Sequence, residues 1–141
     1  NLIEDHFVVC TQQAEMDLSL YLSSPHIGVS SRRTGLLLED IYLNRQQLSR
    51  QIFLRCQHYS TALQVLAQHP NAILTIPQSI LKHLHYSTDL HIHALPIELP
   101  KIRMGMYWHE HVKHNPRHQF LRTEILKIFN PDLFDKDLHI V

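Results

Sequence analysis

Two spacings of apolar residues take turns along this chain, short β-branched runs and longer stripes at helical intervals. Leu2 and Ile3, then Phe7 to Cys10, carry the aliphatic, β-branched and aromatic content of a strand. Met16, Leu20 and Leu22 sit near helical spacing, which predicts a short helix over residues 15–23. Pro25 separates it from a short strand, His26 to Ser30, that runs into polar Ser30-Ser31-Arg32-Arg33. After Thr34-Gly35, Leu37, Leu38, Ile41, Tyr42 and Leu48 make a stripe over 36–48. Ile52, Leu54 and Cys56 then alternate with Phe53 and Arg55, as a strand does.

The stretch from Cys56 to Pro77 is the best-formed unit. A strand end leads into the polar turn Gln57-His58-Tyr59-Ser60, and Ser60 or Thr61 is suited to cap the helix bearing Leu63, Leu66 and Ala67. His69-Pro70-Asn71 stops that helix, because proline lacks an N–H and clashes with the preceding turn. Ala72 to Ile76 is almost wholly apolar, the mark of a parallel strand covered on both faces. Pro77 suits the first turn of a helix through Ile80, Leu81 and Leu84. Leu90 to Leu99 alternates in part, and Ile102 to Trp108 alternates clearly. Asn115-Pro116 opens a last helix with Leu121, Ile125, Ile128 and Phe129 as its apolar stripe, and Asn130-Pro131 closes it. Residues 132–141 read as a loosely held tail. Strand and helix alternate through the middle without internal repeats, so the fold class is α/β with a mixed sheet, parallel in its core and flanked by helices.

Composition narrows the function classes. The 141 residues suffice for one domain with a real core, and 44% are apolar. Thirteen basic residues balance thirteen acidic ones, without the basic surplus of a nucleic-acid-binding module. Cys10 and Cys56 are far apart and lie in apolar runs, where free buried thiols are expected rather than a disulfide scaffold. No apolar run approaches a membrane span, and no signal-peptide pattern opens the chain. With no initiator Met, the chain reads as a piece of something longer, and a cytoplasmic location is expected.

Two polar strand ends are the candidate chemistry. Ligands in open α/β sheets sit outside the carboxyl ends of strands, near helix N-termini whose free N–H groups attract anions. Gln57, His58, Tyr59 and Ser60 occupy one such place; the structural alternative is that Ser60 only caps and Tyr59 only packs. Ser30, Ser31 and Arg32, with Arg33, occupy another, where a guanidinium offers a fork of donors to a carboxylate; a solvated loop is the alternative. Thirteen histidines invite a metal reading, through His91-x-His93 and His109-Glu110-His111 with His114. Lys113 stands where the H-E-x-x-H pattern needs its second His, so scattered surface histidines are the simpler reading and no metal or cofactor is expected. There is no G-x-S-x-G elbow, and three glycines exclude a Gly-rich phosphate loop. Glu39-Asp40 lie on a helix and are expected to face water.

The order of these elements resembles the effector-binding domain of LysR-type transcriptional regulators. The likeness rests on the opening strand LIEDHFVVC, on Ser23 to Ser30, and on the strand from Ile52 turning at Ser60 into a helix. It continues through Ala72 to Pro77, Leu95-Pro96-Ile97, the segment ending in Trp108-His109, and Asn115-Pro116 with HQFLRTEIL. It runs from about Leu2 to Phe129. The resemblance implies a periplasmic-binding-protein-like lobe: residues 1–130 would be the second lobe with its returning strand and C-terminal helix, and 131–141 a tail. It implies a non-enzymatic sensor whose small-molecule effector, often an organic acid or aromatic compound, lies between two lobes against Ser30, Ser31, Arg32, Gln57, His58, Tyr59, Ser60 and Pro77. The winged helix-turn-helix of such regulators is missing, so DNA would be reached only through that absent N-terminal part. The uncovered stripe on the last helix implies packing on the second lobe or self-association. A free-standing binding module of the same fold and a His-dependent metal protein are the competing readings.

Overall fold

The computed structural model describes residues 2–129. In chain order the strands are β1 (Ile3–Asp5), β2 (Phe7–Thr11), β3 (Pro25–Val29), β4 (Gln51–Cys56), β5 (Ile73–Pro77), β6 (His91–Ala94) and β7 (Ile102–Met104). The helices are α1 (Leu18–Ser23), α2 (Leu38–Arg45), α3 (Tyr59–Leu66), α4 (Gln78–Lys82) and α5 (Pro116–Phe129). Two compact units result, one of residues 5–101 and one containing residues 2–4 with 102–129.

The larger unit is built on a five-stranded sheet in the order β4-β3-β5-β2-β6. Every residue of β2 and β5 is buried, which accounts for their nearly continuous apolar runs. Edge strand β4 instead alternates exposed and half-buried positions. The sheet is mixed, as expected. β3 pairs in parallel with β4 and β5, whereas β2 runs antiparallel to both β5 and β6. Parallel pairing is confined to β3, β4 and β5, because β2 lies antiparallel between β5 and β6 and separates them.

Side chains from the two faces of β5 sort into opposite layers. Leu74 and Ile76 join Val8, Cys10, Ile27, Leu63, Leu66 and Leu81 in the core under α3 and α4. On the other face Ile73 joins Val9 and Tyr21, with Met16, Leu22, Leu95 and Ile97 packed against them. Thr75 points the same way, to the Tyr21 hydroxyl 2.8 Å away. Cys10 is fully buried and Cys56 half-buried, both as free thiols.

Several local expectations change. The opening strand is divided at His6, because β1 and β2 join different sheets. α1 begins only at Leu18, where the Asp17 carboxylate accepts the Leu20 N–H at 2.7 Å. α3 begins at Tyr59 with His58 at its cap and no side-chain capping bond, so neither Ser60 nor Thr61 caps it; both lie inside its first turn. Pro77 precedes α4 rather than sitting in its first turn. The strand expected over 102–108 ends at Met104, since its partner β1 offers only three residues. In the smaller unit the β1–β7 pair is fastened by Leu2 N–H to the Met104 carbonyl at 2.7 Å and by Arg103 to Glu4 at 3.2 Å. Asn115 does open α5, its side-chain oxygen accepting the Arg117 and His118 N–H groups. The expected stop at Asn130-Pro131 and the tail lie outside the described residues.

Candidate functional site

The carboxyl ends of β3, β4 and β5 lie along one edge of the larger sheet, and the chain leaves them in different directions. After β3 the loop 30–37 leads to α2, on the face that carries Tyr21 and Thr75; after β4 and β5 the chain enters α3 and α4, on the opposite face. Adjacent parallel strands whose following segments part to opposite faces open a crevice between them. The sequence-nominated turns stand at this point. Register pairs Val29 with Cys56, and the Ser30 N–H donates to the Cys56 carbonyl at 3.0 Å, so Ser30 and Gln57 begin side by side.

Their exposures differ. Ser30 is half-buried, and its hydroxyl accepts the Arg32 N–H at 3.1 Å, while Ser31, Arg32 and Arg33 are exposed. Gln57, His58 and Ser60 are also exposed. Tyr59 is half-buried against the α3 core, and burial, reinforced by the Glu39 charge, pushes its phenol well above the usual range. Pro77 is buried, offering the edge only its backbone. The loop is pinned at its far end too. Arg55 donates to the Gly35 carbonyl at 2.7 Å, and Gly35 takes a positive φ of 95° that suits glycine. Leu37 is buried against Gly28.

Sequence reading missed two arrangements. The first is Asp5, the last residue of β1, two residues before β2 begins on the same edge. Its carboxylate accepts the Ser79 hydroxyl at 2.5 Å and the Ser79 N–H at 3.1 Å, capping α4 from a distant strand. Burial alone would raise the Asp5 carboxyl, but the Ser79 hydroxyl and the N–H groups of His6 and Ser79 outweigh it and hold it low. Beside Asp5, a groove of about 600 Å³ runs past His6, Gln78, His93, Leu95 and Ile97. None of the nominated residues lines it.

The second is a buried polar cluster. Glu39 and Asp40, expected to face water, turn inward onto Arg50, whose side chain is 1% exposed. Arg50 Nε donates to Asp40 at 2.7 Å, and Nη1 reaches the Tyr21 hydroxyl at 3.3 Å and Thr75 Oγ1 at 3.2 Å. His26 Nε2 lies 2.6 Å from the Tyr21 carbonyl and must be the protonated nitrogen, which leaves Nδ1 to accept from Arg50 at 3.4 Å. Burial, with the Arg50 charge, brings His26 down to about 4. A helical Glu-Asp pair gives no periodic sign of facing a buried cation, so nothing in the sequence announced the cluster.

The histidine pairs do not converge. His91 and His93 share a face of β6 with ring centres 6.2 Å apart, and His93 Nε2 bonds the Gln13 carbonyl. His109 and His111 stack at 4.7 Å on an exposed 3-10 turn. Among the described residues no group of three or more His, Cys, Asp or Glu is placed to hold a metal ion.

The fold has counterparts of known structure. It superposes on the regulatory domain of MexT, a transcriptional activator in Pseudomonas aeruginosa, with a TM-score of 0.70 at 17% identity, covering 91% of this chain and 63% of that one. In sequence it is 25% identical over 118 residues to the HTH-type transcriptional activator NagR of a Ralstonia species, spanning 84% of this chain and 39% of that protein. To the HTH-type transcriptional activator NahR of Pseudomonas putida it is 24% identical over 134 residues, spanning 91% of this chain and 44% of that protein. These likenesses make the chain similar to LysR-type regulators. Its α/β sheet, mixed and flanked by helices, is that of their regulatory domain, a periplasmic-binding-protein-like fold. No family model matches the chain. It spans about two fifths of the length of the curated relatives it matches. Those relatives are transcriptional regulators and not enzymes. Among the described residues no helix is long and apolar enough to cross a membrane.

Proposed function

We propose that this chain is the sensing part of a LysR-type transcription regulator, and that its switch-point edge forms one wall of an effector site. The observation that carries the reading is the Ser30-to-Cys56 backbone bond, which brings the two polar strand ends together where the following segments part. Ser30, Ser31 and Arg32 supply hydroxyls and a guanidinium, and Gln57, His58 and Ser60 supply amide, imidazole and hydroxyl. Tyr59 and Pro77 back the wall from beneath. This set suits a small organic acid, with Arg32 and the exposed N–H groups at the start of α3 facing its carboxylate.

The opposite wall would come from the length of a full regulator that this chain does not span. Residues 1–130 then correspond to the second lobe with its returning strand and helix, and 131–141 to a tail. The effector acts by binding one lobe arrangement more tightly than another, since equal affinity shifts nothing. Oligomer contacts pass the change to DNA-binding heads, which sets the location as cytoplasmic, and the α5 stripe is one such self-association surface. DNA is contacted by those heads, and the isolated chain should give no sequence-selective gel shift.

Benzoate, as a simple aromatic acid, tests the site. Titration followed by NMR should move the amide signals of residues 30–33 and 57–60, and His58→Ala should weaken binding about tenfold, the loss of roughly one hydrogen bond to a charged group. Shifts confined to the groove beside His6 and His93 would instead favour a binding module of different geometry.

A further inference from the structure

The loop arm of the proposed effector wall ends on a buried cation. The loop that carries Ser30, Ser31 and Arg32 runs directly into the first turn of α2, where Glu39 and Asp40 face Arg50. Arg50 in turn is fixed from β3 by His26, from β5 by Thr75 and from α1 by Tyr21. A guanidinium presents its donors in a rigid planar fork, so partners on several elements fix its position and orientation together.

The hold on α2 is uneven. Asp40 meets Nε in a short, charge-assisted bond at 2.7 Å, whereas Glu39 stands 3.6 Å from Nη2, which is buried without a hydrogen-bond partner. The first turn of α2 has no side-chain cap of its own, since Leu37 precedes it. Only tertiary contacts can therefore set where this turn starts, and with it where the loop must end. The Asp40–Arg50 bond and the buried Leu37 are those contacts.

We infer that Arg50 is a positioning residue for the effector wall: by gripping Asp40 and Glu39 it holds α2, and hence the Ser30–Leu37 loop, against the sheet edge. This rests on the wall being the effector site, but its test does not need an effector. Hydrogen exchange read by mass spectrometry on the full chain compares wild type with Arg50→Met and Arg50→Lys. In Arg50→Met, peptides covering Ser30 and α2 should exchange about tenfold faster or more, while β2 and β5 stay within about twofold of wild type. Arg50→Lys, which keeps the charge but not the fork, should fall between. A folded Arg50→Met chain with unchanged exchange at Ser30 and α2, or with an equal rise across β2 and β5, would overturn the inference. If Arg50→Met does not fold, Asp40→Ala removes the short bond alone and is held to the same two criteria. Benzoate titration of the wild type stands apart: faster loop exchange in a chain that binds no benzoate keeps the positioning role and removes the effector site.

Discussion

Val9, Cys10, Ile73, Leu74 and Ile76 in the larger unit are wholly buried, whereas α5 in the smaller unit buries no side chain and leaves Phe120, Leu121 and Ile128 at 68%, 55% and 74% exposure. The amphipathic signal is similar in kind in the two regions, an apolar stripe at helical spacing beside a strand. The outcome differs because α3 lies over a five-stranded sheet, while β1 and β7 form only a two-stranded one. Two strands alone are marginal in water. A periodic stripe thus identifies a helix that is built to be covered, and says nothing of what covers it. The independent hydrophobic core belongs to residues 5–101, and mutations should divide along that line.

The largest effect is expected from Leu74→Ala. It removes a fully buried side chain from a central strand and should lower the unfolding free energy by about 3 kcal/mol, read from urea denaturation. A loss below about 1 kcal/mol would mean that this core is not the one that matters. Next is pH. His26 has a pKa of about 4 when folded and 6.5 as an ordinary imidazole, so between those values the unfolded chain binds the extra proton. Stability should therefore fall as pH drops from about 6.5 towards 4, by up to about 3 kcal/mol, and His26→Gln should flatten that part of the curve. Ser79→Ala leaves the Asp5 carboxylate with fewer donors and should cost about 1–2 kcal/mol. Smallest is Ile128→Ala, which should change the stability of this chain by less than about 0.5 kcal/mol while lowering any self-association seen by sedimentation. A large loss of stability there would show that α5 is already covered, and the contrast between the units would fail.

Most elements of the larger unit were legible because their cause is local. The runs Phe7–Cys10 and Ala72–Ile76 are apolar because both faces are covered, and Asn115-Pro116 opens a helix by chemistry within one turn. Pairing direction was not legible, since nothing within Phe7–Thr11 distinguishes an antiparallel partner from a parallel one. The same limit governs the site. Gln57 to Ser60 and Ser30 to Arg32 could be nominated because polar residues directly follow apolar strands. Arg50, Glu39 and Asp40 could not, because each looks solvated until strands from separate parts of the chain surround it. His58 in place of Ser60 at the helix cap is a smaller instance: backbone geometry chose the cap, and the hydroxyls were left inside the turn.

Gly28 gives the Ser30–Leu37 loop a different kind of significance. A Cβ at that position would stand 2.5 Å from Leu37 Cδ1, so the missing side chain is the socket into which the loop's return residue drops. With Leu37 seated there, and Ser30 tied to Cys56 at the other end, the intervening residues span a gap whose two posts do not depend on their identity. Residues 31–34 and 36 are exposed, so exchanging them alters what the loop offers to a visitor without disturbing how it is hung, whereas the positive φ of Gly35 keeps that position a glycine. That separation makes these five positions the natural place to diversify in a library, with Gly28, Gly35 and Leu37 kept constant.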